Sequence, residues 1–237
     1  MSKIRLVAMD LDGTLTQHRT PLADENRAVL DRLAEKYHLV MVGAGAALRI
    51  YRQMGEYPLD IIGNYGMETY LFDPEKGLVE DERVHVTIDE ERAARAVEQL
   101  RDKYNLHTYA GKSIEFHASG CVTFPILGTE AKIEDKLVFD PDRSKRRPMY
   151  QDVIDLFPEF TVFIGGSSSF DMAPAPYKKS YALAQYCKKH GYDVSEVVYC
   201  GDDYTPGGGD YDLFTSDFRF IKVDDYRKFG EYVKELL

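Results

Sequence analysis

At both ends of this chain short apolar runs alternate with segments of helical periodicity, and in the middle that alternation stops. Residues 4–9 are an apolar run, residues 24–37 set Val29, Leu30 and Leu33 at helical spacing, and residues 39–42 are a second apolar run. Gly43-Ala44-Gly45 then opens a helix expected over residues 46–54, and a third run, residues 59–62, ends at the turn Gly63-Asn64. The same order resumes late, with a helix over 180–189, strands over 197–200 and 218–223, and a closing helix over 226–237. Alternation of this kind builds a parallel sheet covered by helices. Between the two ends, residues 89–104 place Ala93, Val97, Leu100 and Tyr104 on one helical face, and strands follow at 114–116 and 121–127. The basic stretch 143–147 leads into a helix reaching Phe157, and further strands fall at 161–164 and 169–173. That αββαββ order makes an antiparallel sheet with two helices. The expectation is an α/β core built from residues 1–82 and 174–237, interrupted by an α+β domain over 83–173.

Charge and cysteine usage narrow the partners. With 237 residues, 44% of them hydrophobic, the chain can bury a full core. Its 30 basic and 40 acidic residues give a net charge of -10, which disfavours nucleic acid and anionic membranes and leaves a small molecule as the expected partner. No apolar run approaches the roughly 18 residues that span a bilayer, and the run at 4–9 is broken by Arg5 and leads straight into acids, unlike a signal peptide. Cys121, Cys187 and Cys200 are odd in number and lack metal-binding spacing, so they read as reduced thiols and a cytoplasmic location is expected.

The first apolar run ends in Asp10-Leu11-Asp12-Gly13-Thr14. In an open parallel sheet the ligand crevice lies beyond the carboxyl ends of the strands, where both acids fall. Two carboxylates there repel each other unless a cation joins them, and oxygen ligands of this kind select Mg²⁺. Side chains alternate along an extended strand, so Asp10 and Asp12 can face one ligand while Gly13 turns the backbone away. A second acidic cluster, Gly201-Asp202-Asp203, ends a late strand, and Asp202 converges on Asp10 if the two strands are neighbours. Lys179 opens the late helix and supplies the opposite sign, suited to a phosphoryl oxygen.

In that order these motifs resemble the haloacid dehalogenase (HAD) superfamily of phosphotransferases, with a Rossmann-like core and, in the αββαββ insertion, a type C2 cap. Ile164-Gly165-Gly166-Ser167-Ser168-Ser169-Phe170-Asp171, Tyr177-Lys178-Lys179 and the Pro206-Gly207-Gly208 insertion before Asp210 resemble the eukaryotic-type phosphomannomutases. The resemblance implies an aspartyl-phosphate mechanism. Asp10 is then the nucleophile, Asp12 the proton donor and acceptor, and Lys179 a stabiliser of the transferring group. Mg²⁺ is held by Asp10, Asp12 (through its carbonyl) and Asp202, with Asp203 or Asp210 in support. Phosphate is expected at Gly13, Lys179 and the backbone of Ala44 and Gly45 at a helix N-terminus. Arg19, His117, Lys136, Ser169 and Asp171 are the expected substrate contacts, and the family pairs through its caps, so a homodimer is expected.

Two departures matter. The segment Val42-Gly43-Ala44-Gly45-Ala46 lacks the hydroxyl that the superfamily often places there. In the cap, His117, Thr129 and Lys136 stand where the family has arginines, which weakens the grip expected on a second phosphate. The sequence therefore favours a Mg²⁺-dependent phosphatase of a sugar phosphate or similar small metabolite. A phosphomannomutase or phosphoglucomutase is the alternative, and a non-catalytic phosphosugar-binding protein the second alternative.

Overall fold

A computed structural model describes residues 3–237. In chain order the first stretch gives β1 (Leu6–Met9), α1 (Asp24–Ala34), β2 (His38–Val42), α2 (Ala47–Gln53), β3 (Asp60–Gly63), β4 (Glu68–Asp73) and β5 (Gly77–Arg83). The middle gives α3 (Glu90–Tyr104), β6 (Glu115–Phe116), β7 (Val122–Pro125), α4 (Ile133–Phe139), α5 (Tyr150–Leu156), β8 (Phe160–Phe163) and β9 (Ser169–Pro174). The last stretch adds α6 (Lys179–His190), β10 (Val197–Gly201), α7 (Tyr211–Phe214), β11 (Arg219–Lys222) and α8 (Phe229–Tyr232).

Two compact units result. The first runs to Val84 and resumes over Lys178–Pro206 and Asp210–Leu237; the second is His85–Tyr177 with Gly207–Gly209. The first unit holds one seven-stranded sheet in the order β11-β10-β1-β2-β3-β4-β5, parallel from β11 to β3, with β4 and β5 antiparallel at the edge. β1 lies between β10 and β2 and is buried on both faces. Its residues alternate between two cores, as the period of a strand requires: Val7 and Met9 join the cluster of Leu30, Leu33 and Ile50, whereas Leu6 and Ala8 join Leu183, Tyr186 and Tyr199. The register pairs Met9 with Cys200, so the chain after β1 and the chain after β10 leave the sheet side by side.

The second unit is a four-stranded antiparallel sheet, β6-β7-β9-β8, backed by α3 and α5 around Val97, Phe124, Val153, Phe157 and Phe170. Asp89 caps α3 by accepting from the Arg92 N–H, and Asn105 in the left-handed conformation ends it. Gly207–Gly209 belong here because the Gly207 carbonyl accepts from the Ile164 N–H at 2.8 Å.

The structure departs from the sequence reading at several places: residues 174–177 and 207–209, expected in the core, fall in the second unit, and the short helix α7 was not expected. The hairpin β4–β5 was not expected, and neither was α4, which buries no residue. The expected closing helix is reduced to a 3₁₀ turn at Tyr226–Lys228 and the single turn of α8; Phe229, Val233 and Leu236 still reach the core. Among the described residues no helix is long and apolar enough to cross a membrane.

Candidate active site

Because β1 and β10 are neighbours, Asp10 and Asp202 meet beyond their carboxyl ends. The Asp10 N–H donates to the Cys200 carbonyl at 3.0 Å, so the extended pairing continues one residue past β1 and aims the carboxylate out of the sheet end. Gly13 follows at φ +100°, and a Cβ there would stand 2.2 Å from Asp202 Oδ2; the tight turn and the close approach both require glycine. Thr14 fixes Asp202 by donating its hydroxyl to Oδ1 at 2.7 Å. The third carboxylate is Asp210. It is fully buried, accepts from the Asp203 N–H at 3.0 Å and from the Tyr199 hydroxyl at 2.6 Å, and its own N–H donates to the Asp203 carbonyl. Carboxylate oxygens of Asp10, Asp202 and Asp210 all lie within 4.8 Å of one another.

Lys179, the first residue of α6 and 2% exposed, reaches into this group. Its Nζ lies 2.8 Å from Asp10 Oδ1 and 2.7 Å from Asp210 Oδ1. Burial opposes its charge, but the two carboxylates outweigh burial and push its pKa above the ordinary lysine value. One ammonium cannot balance three acids. Burial, tempered by Lys179 and reinforced by repulsion from Asp210, raises Asp10 to about 7. Burial and then repulsion from Asp10 and Asp210 raise Asp202 to about 8. A surplus of buried negative charge, offered entirely by hard oxygen donors, fits a divalent cation such as Mg²⁺.

Asp12 is set apart from this group. Its Oδ1 accepts from the Arg19 N–H at 2.8 Å and from Gln53 Nε2 at 2.7 Å, and Arg49 Nη1 lies 3.7 Å from its Oδ2. The carboxylate of Asp203 is likewise outside the three, its backbone serving to hold Asp210. Arg19 sits at φ +58° on the exposed loop after the motif. At the expected phosphate cradle, the carbonyls of Gly43 and Gly45 accept from Tyr65 and Asn64, and the first helical N–H, that of Ala47, donates to the buried carboxylate of Glu68 at 2.5 Å. The helix start beside Ala44 and Gly45 therefore already carries an anion of the protein's own.

In the second unit, His117 Nε2 lies 3.0 Å from Thr123 Oγ1, which donates to Asp171 Oδ1 at 3.1 Å, while the Ser169 hydroxyl bonds the Gly165 carbonyl at 3.1 Å. Burial raises Asp171 above its ordinary value. Lys136 donates to the Thr129 carbonyl at 3.1 Å and is not part of that cluster. The sequence reading did not single out Glu68, Gln53, Arg49, Tyr199 or Thr123. Their only sequence signal is helical or strand register relative to the acids, which becomes informative once the strand order is known.

The eukaryotic phosphomannomutase family model matches residues 27–226. The phosphomannomutase of Saccharomyces cerevisiae is 29% identical over 223 residues, covering 90% of this chain and 85% of that protein. The phosphomannomutase of Drosophila melanogaster is 27% identical over 233 residues, covering 91% and 88%. Among solved structures, an IMP-nucleotidase of Plasmodium falciparum superposes with a TM-score of 0.73 at 11% identity, covering 99% of this chain and 68% of that one. A HAD-superfamily phosphatase of Bacteroides thetaiotaomicron superposes at 0.65 and 17% identity, covering 99% and 95%. The family model spans most of the chain and the superpositions run its full length: the chain has the HAD fold and belongs to the eukaryotic phosphomannomutase family.

Proposed function

We propose that this protein is a phosphohexomutase, taking a phosphoryl group from a phosphorylated hexose onto Asp10 and returning it to another hydroxyl of the same sugar. The observation that carries the reading is Asp10 itself, a buried carboxylate 2.8 Å from the Lys179 ammonium at the end of the central strand, in a chain of the phosphomannomutase family. An oxygen of Asp10 attacks phosphorus as the ester bond to the sugar oxygen breaks. The proton that the departing sugar oxygen needs comes from Asp12, which later takes one from the hydroxyl that attacks the aspartyl-phosphate. Lys179, held by Asp10 and Asp210, sets a fixed positive charge beside the equatorial oxygens. Asp10, Asp202 and Asp210 would hold Mg²⁺, which would supply further positive charge at the transferring group. In this reading two copies associate through α4, whose Ile133, Leu137 and Val138 are 50%, 51% and 75% exposed.

Hydrolysis is the second reading, favoured by one observation. Where the family has arginines the chain has His117, Thr129 and Lys136, and Lys136 is engaged with the Thr129 carbonyl. A phosphorylated hexose held less firmly leaves the aspartyl-phosphate open to water, which replaces the second sugar hydroxyl as the acceptor. One assay separates the two: incubate the protein with Mg²⁺ and a hexose 1-phosphate, with and without hexose bisphosphate, and follow isomer and free phosphate together. Isomer in excess of phosphate supports the mutase; phosphate without isomer replaces it with the phosphatase; neither product, across a panel of hexose phosphates, sinks both.

A further inference from the structure

We infer that Gln53 is a positioning residue for Asp12, dictating which of its two oxygens carries the transferred proton; the inference rests on the proposed phosphoryl transfer. Gln53 is the last residue of α2, one helical turn beyond Arg49. Its amide is oriented by its partners. Arg49 Nη1 donates to Gln53 Oε1 at 2.6 Å, and because a guanidinium can only donate, the Gln53 nitrogen must face the other way. That nitrogen donates to Asp12 Oδ1 at 2.7 Å and, more weakly, to Thr16 Oγ1 at 3.2 Å. The Arg49 guanidinium lies against Gly45, where a Cβ would come within 2.0 Å of Nη2, so the arginine is seated by a residue without a side chain.

The consequence is an asymmetric carboxylate. Oδ1 accepts from the Arg19 N–H at 2.8 Å and from Gln53 at 2.7 Å, with the Thr16 hydroxyl at 3.5 Å. Donors crowd that oxygen and leave no room for a proton of its own. Among the described residues, the charged groups nearest Oδ2 are at the longer distances of Arg49 Nη1, 3.7 Å, and His18 Nδ1, 3.9 Å. Oδ2 is therefore the oxygen on which the transferred proton can be exchanged with the sugar. In the first half-reaction the bond from phosphorus to the sugar oxygen breaks with its electron pair on that oxygen, which takes the Oδ2 proton as the Asp10 oxygen–phosphorus bond forms. Without Gln53 the carboxyl group rotates, and the proton is presented in more than one direction.

The test compares a poor leaving group with a good one. A hexose 1-phosphate needs the proton and 4-nitrophenyl phosphate barely does, so the ratio of their kcat values reports proton delivery. Gln53→Leu should lower that ratio by roughly tenfold, part of the 10²–10⁴ that general acid catalysis contributes. Gln53→Glu keeps the Arg49 contact but places an acceptor against a carboxylate, and should lower the ratio further. In an Asp12→Ala background neither substitution should change it. A Gln53→Leu enzyme that slows both substrates equally, a Gln53→Glu enzyme with the parental ratio, or an effect that persists without Asp12 would each overturn the assignment. If the parent enzyme turns over neither ester, the phosphoryl-transfer reading has failed, and the contact is then judged by thermal unfolding. Losses in Tm for Asp12→Ala and Gln53→Leu that add in the double variant then remove even the contact, and losses that do not add keep the contact while the role in proton transfer falls with the reading it rests on.

Discussion

The two units bury charge by opposite rules. At the sheet end of the first, Asp10, Asp202 and Asp210 surround the single ammonium of Lys179, and burial and mutual repulsion hold Asp202 up at about 8. In the second, Asp140 and Arg146 are each 1% exposed and meet one to one at 2.7 Å. Arg146 also donates to the carbonyls of Gly165 at 2.6 Å and Ser169 at 2.8 Å, closing the loop between β8 and β9. Burial would raise Asp140, but the bonds from Arg146 and from the Lys145 N–H outweigh it and hold its pKa below the ordinary value. Among the described residues Arg101 has no carboxylate partner: its Nη1 and Nη2 donate to the carbonyls of Leu106 at 2.7 Å and Pro125 at 2.9 Å and its guanidinium stacks on Tyr109, while its buried Nε is left without a partner. Balanced buried charge staples loops together. Unbalanced buried charge costs stability, and a fold that keeps it does so to bind something.

The largest effect that follows is on turnover. Asp10→Asn should lower kcat by roughly 10⁴-fold or more, as removal of a nucleophile does. Its Tm should not fall, because the substitution relieves the surplus of negative charge and leaves Lys179 paired with Asp210. Phosphate or isomer production near the parental rate would remove the aspartyl-phosphate, and a collapse in Tm would show that this group is a staple after all.

The converse holds in the second unit. Arg146→Met leaves Asp140 buried without a partner and should cost about 3–5 kcal/mol by denaturant unfolding. The double variant Arg146→Met, Asp140→Leu should recover most of that, since a buried pair replaced by apolar groups is often close to neutral. A single variant costing less than about 1 kcal/mol would place this pair with ordinary surface ion pairs and undo the contrast.

Metal sharpens the comparison through pH. Asp202 sits at about 8 in the folded chain against an ordinary 3.8, so the folded state binds the extra proton. Its contribution to stability is present below pH 4 and is lost as pH rises through 8; with chelator, Tm should fall over that window. Mg²⁺ binds the ionised form, so the Tm gained on adding it should grow from pH 5.5 to pH 8.5. A gain independent of pH would show that the ion sits on groups other than these three.

How much of this was legible in the sequence follows the same division. Asp10, Asp202 and Lys179 were readable because each stands at the end of a strand or the head of a helix, and parallel order carries such ends to one edge. Asp210 could not be ranked above Asp203, because the choice is made by the Asp203 backbone, which donates to and accepts from Asp210. Gln53 and Arg49 were invisible, since their meaning lies in the rotation of α2 relative to Asp12. The segment 64–82 gave no strand signal, for β5 reads Gly-Leu-Val-Glu-Asp-Glu-Arg, and its acids interrupt the alternation that marks a half-buried strand. Nor could α4 be read from periodicity, having no buried face to generate one.

Another buried carboxylate offers the smallest and most discriminating test. Asp60 is the first residue of β3, at the amino end of its own strand, whereas Asp10 follows the carboxyl end of β1. Its Oδ2 accepts from the Tyr186 hydroxyl at 2.5 Å and from His38 Nε2 at 2.8 Å, and its Oδ1 from the Phe72 N–H at 2.7 Å. Burial would raise its pKa, but these donors outweigh burial and hold it below 3.8. Its stabilising contribution is therefore present above the ordinary carboxylate value and is lost as pH falls through the depressed one, the reverse of Asp202. Asp60→Asn should cost roughly 1–2 kcal/mol and flatten the acid limb of the unfolding curve, with kcat and KM unchanged. A satisfied buried carboxylate that altered turnover when removed would mean that charge balance does not separate scaffold from site in this fold, and the assignment of Asp10, Asp202 and Asp210 as the metal-binding group would then rest on their proximity alone.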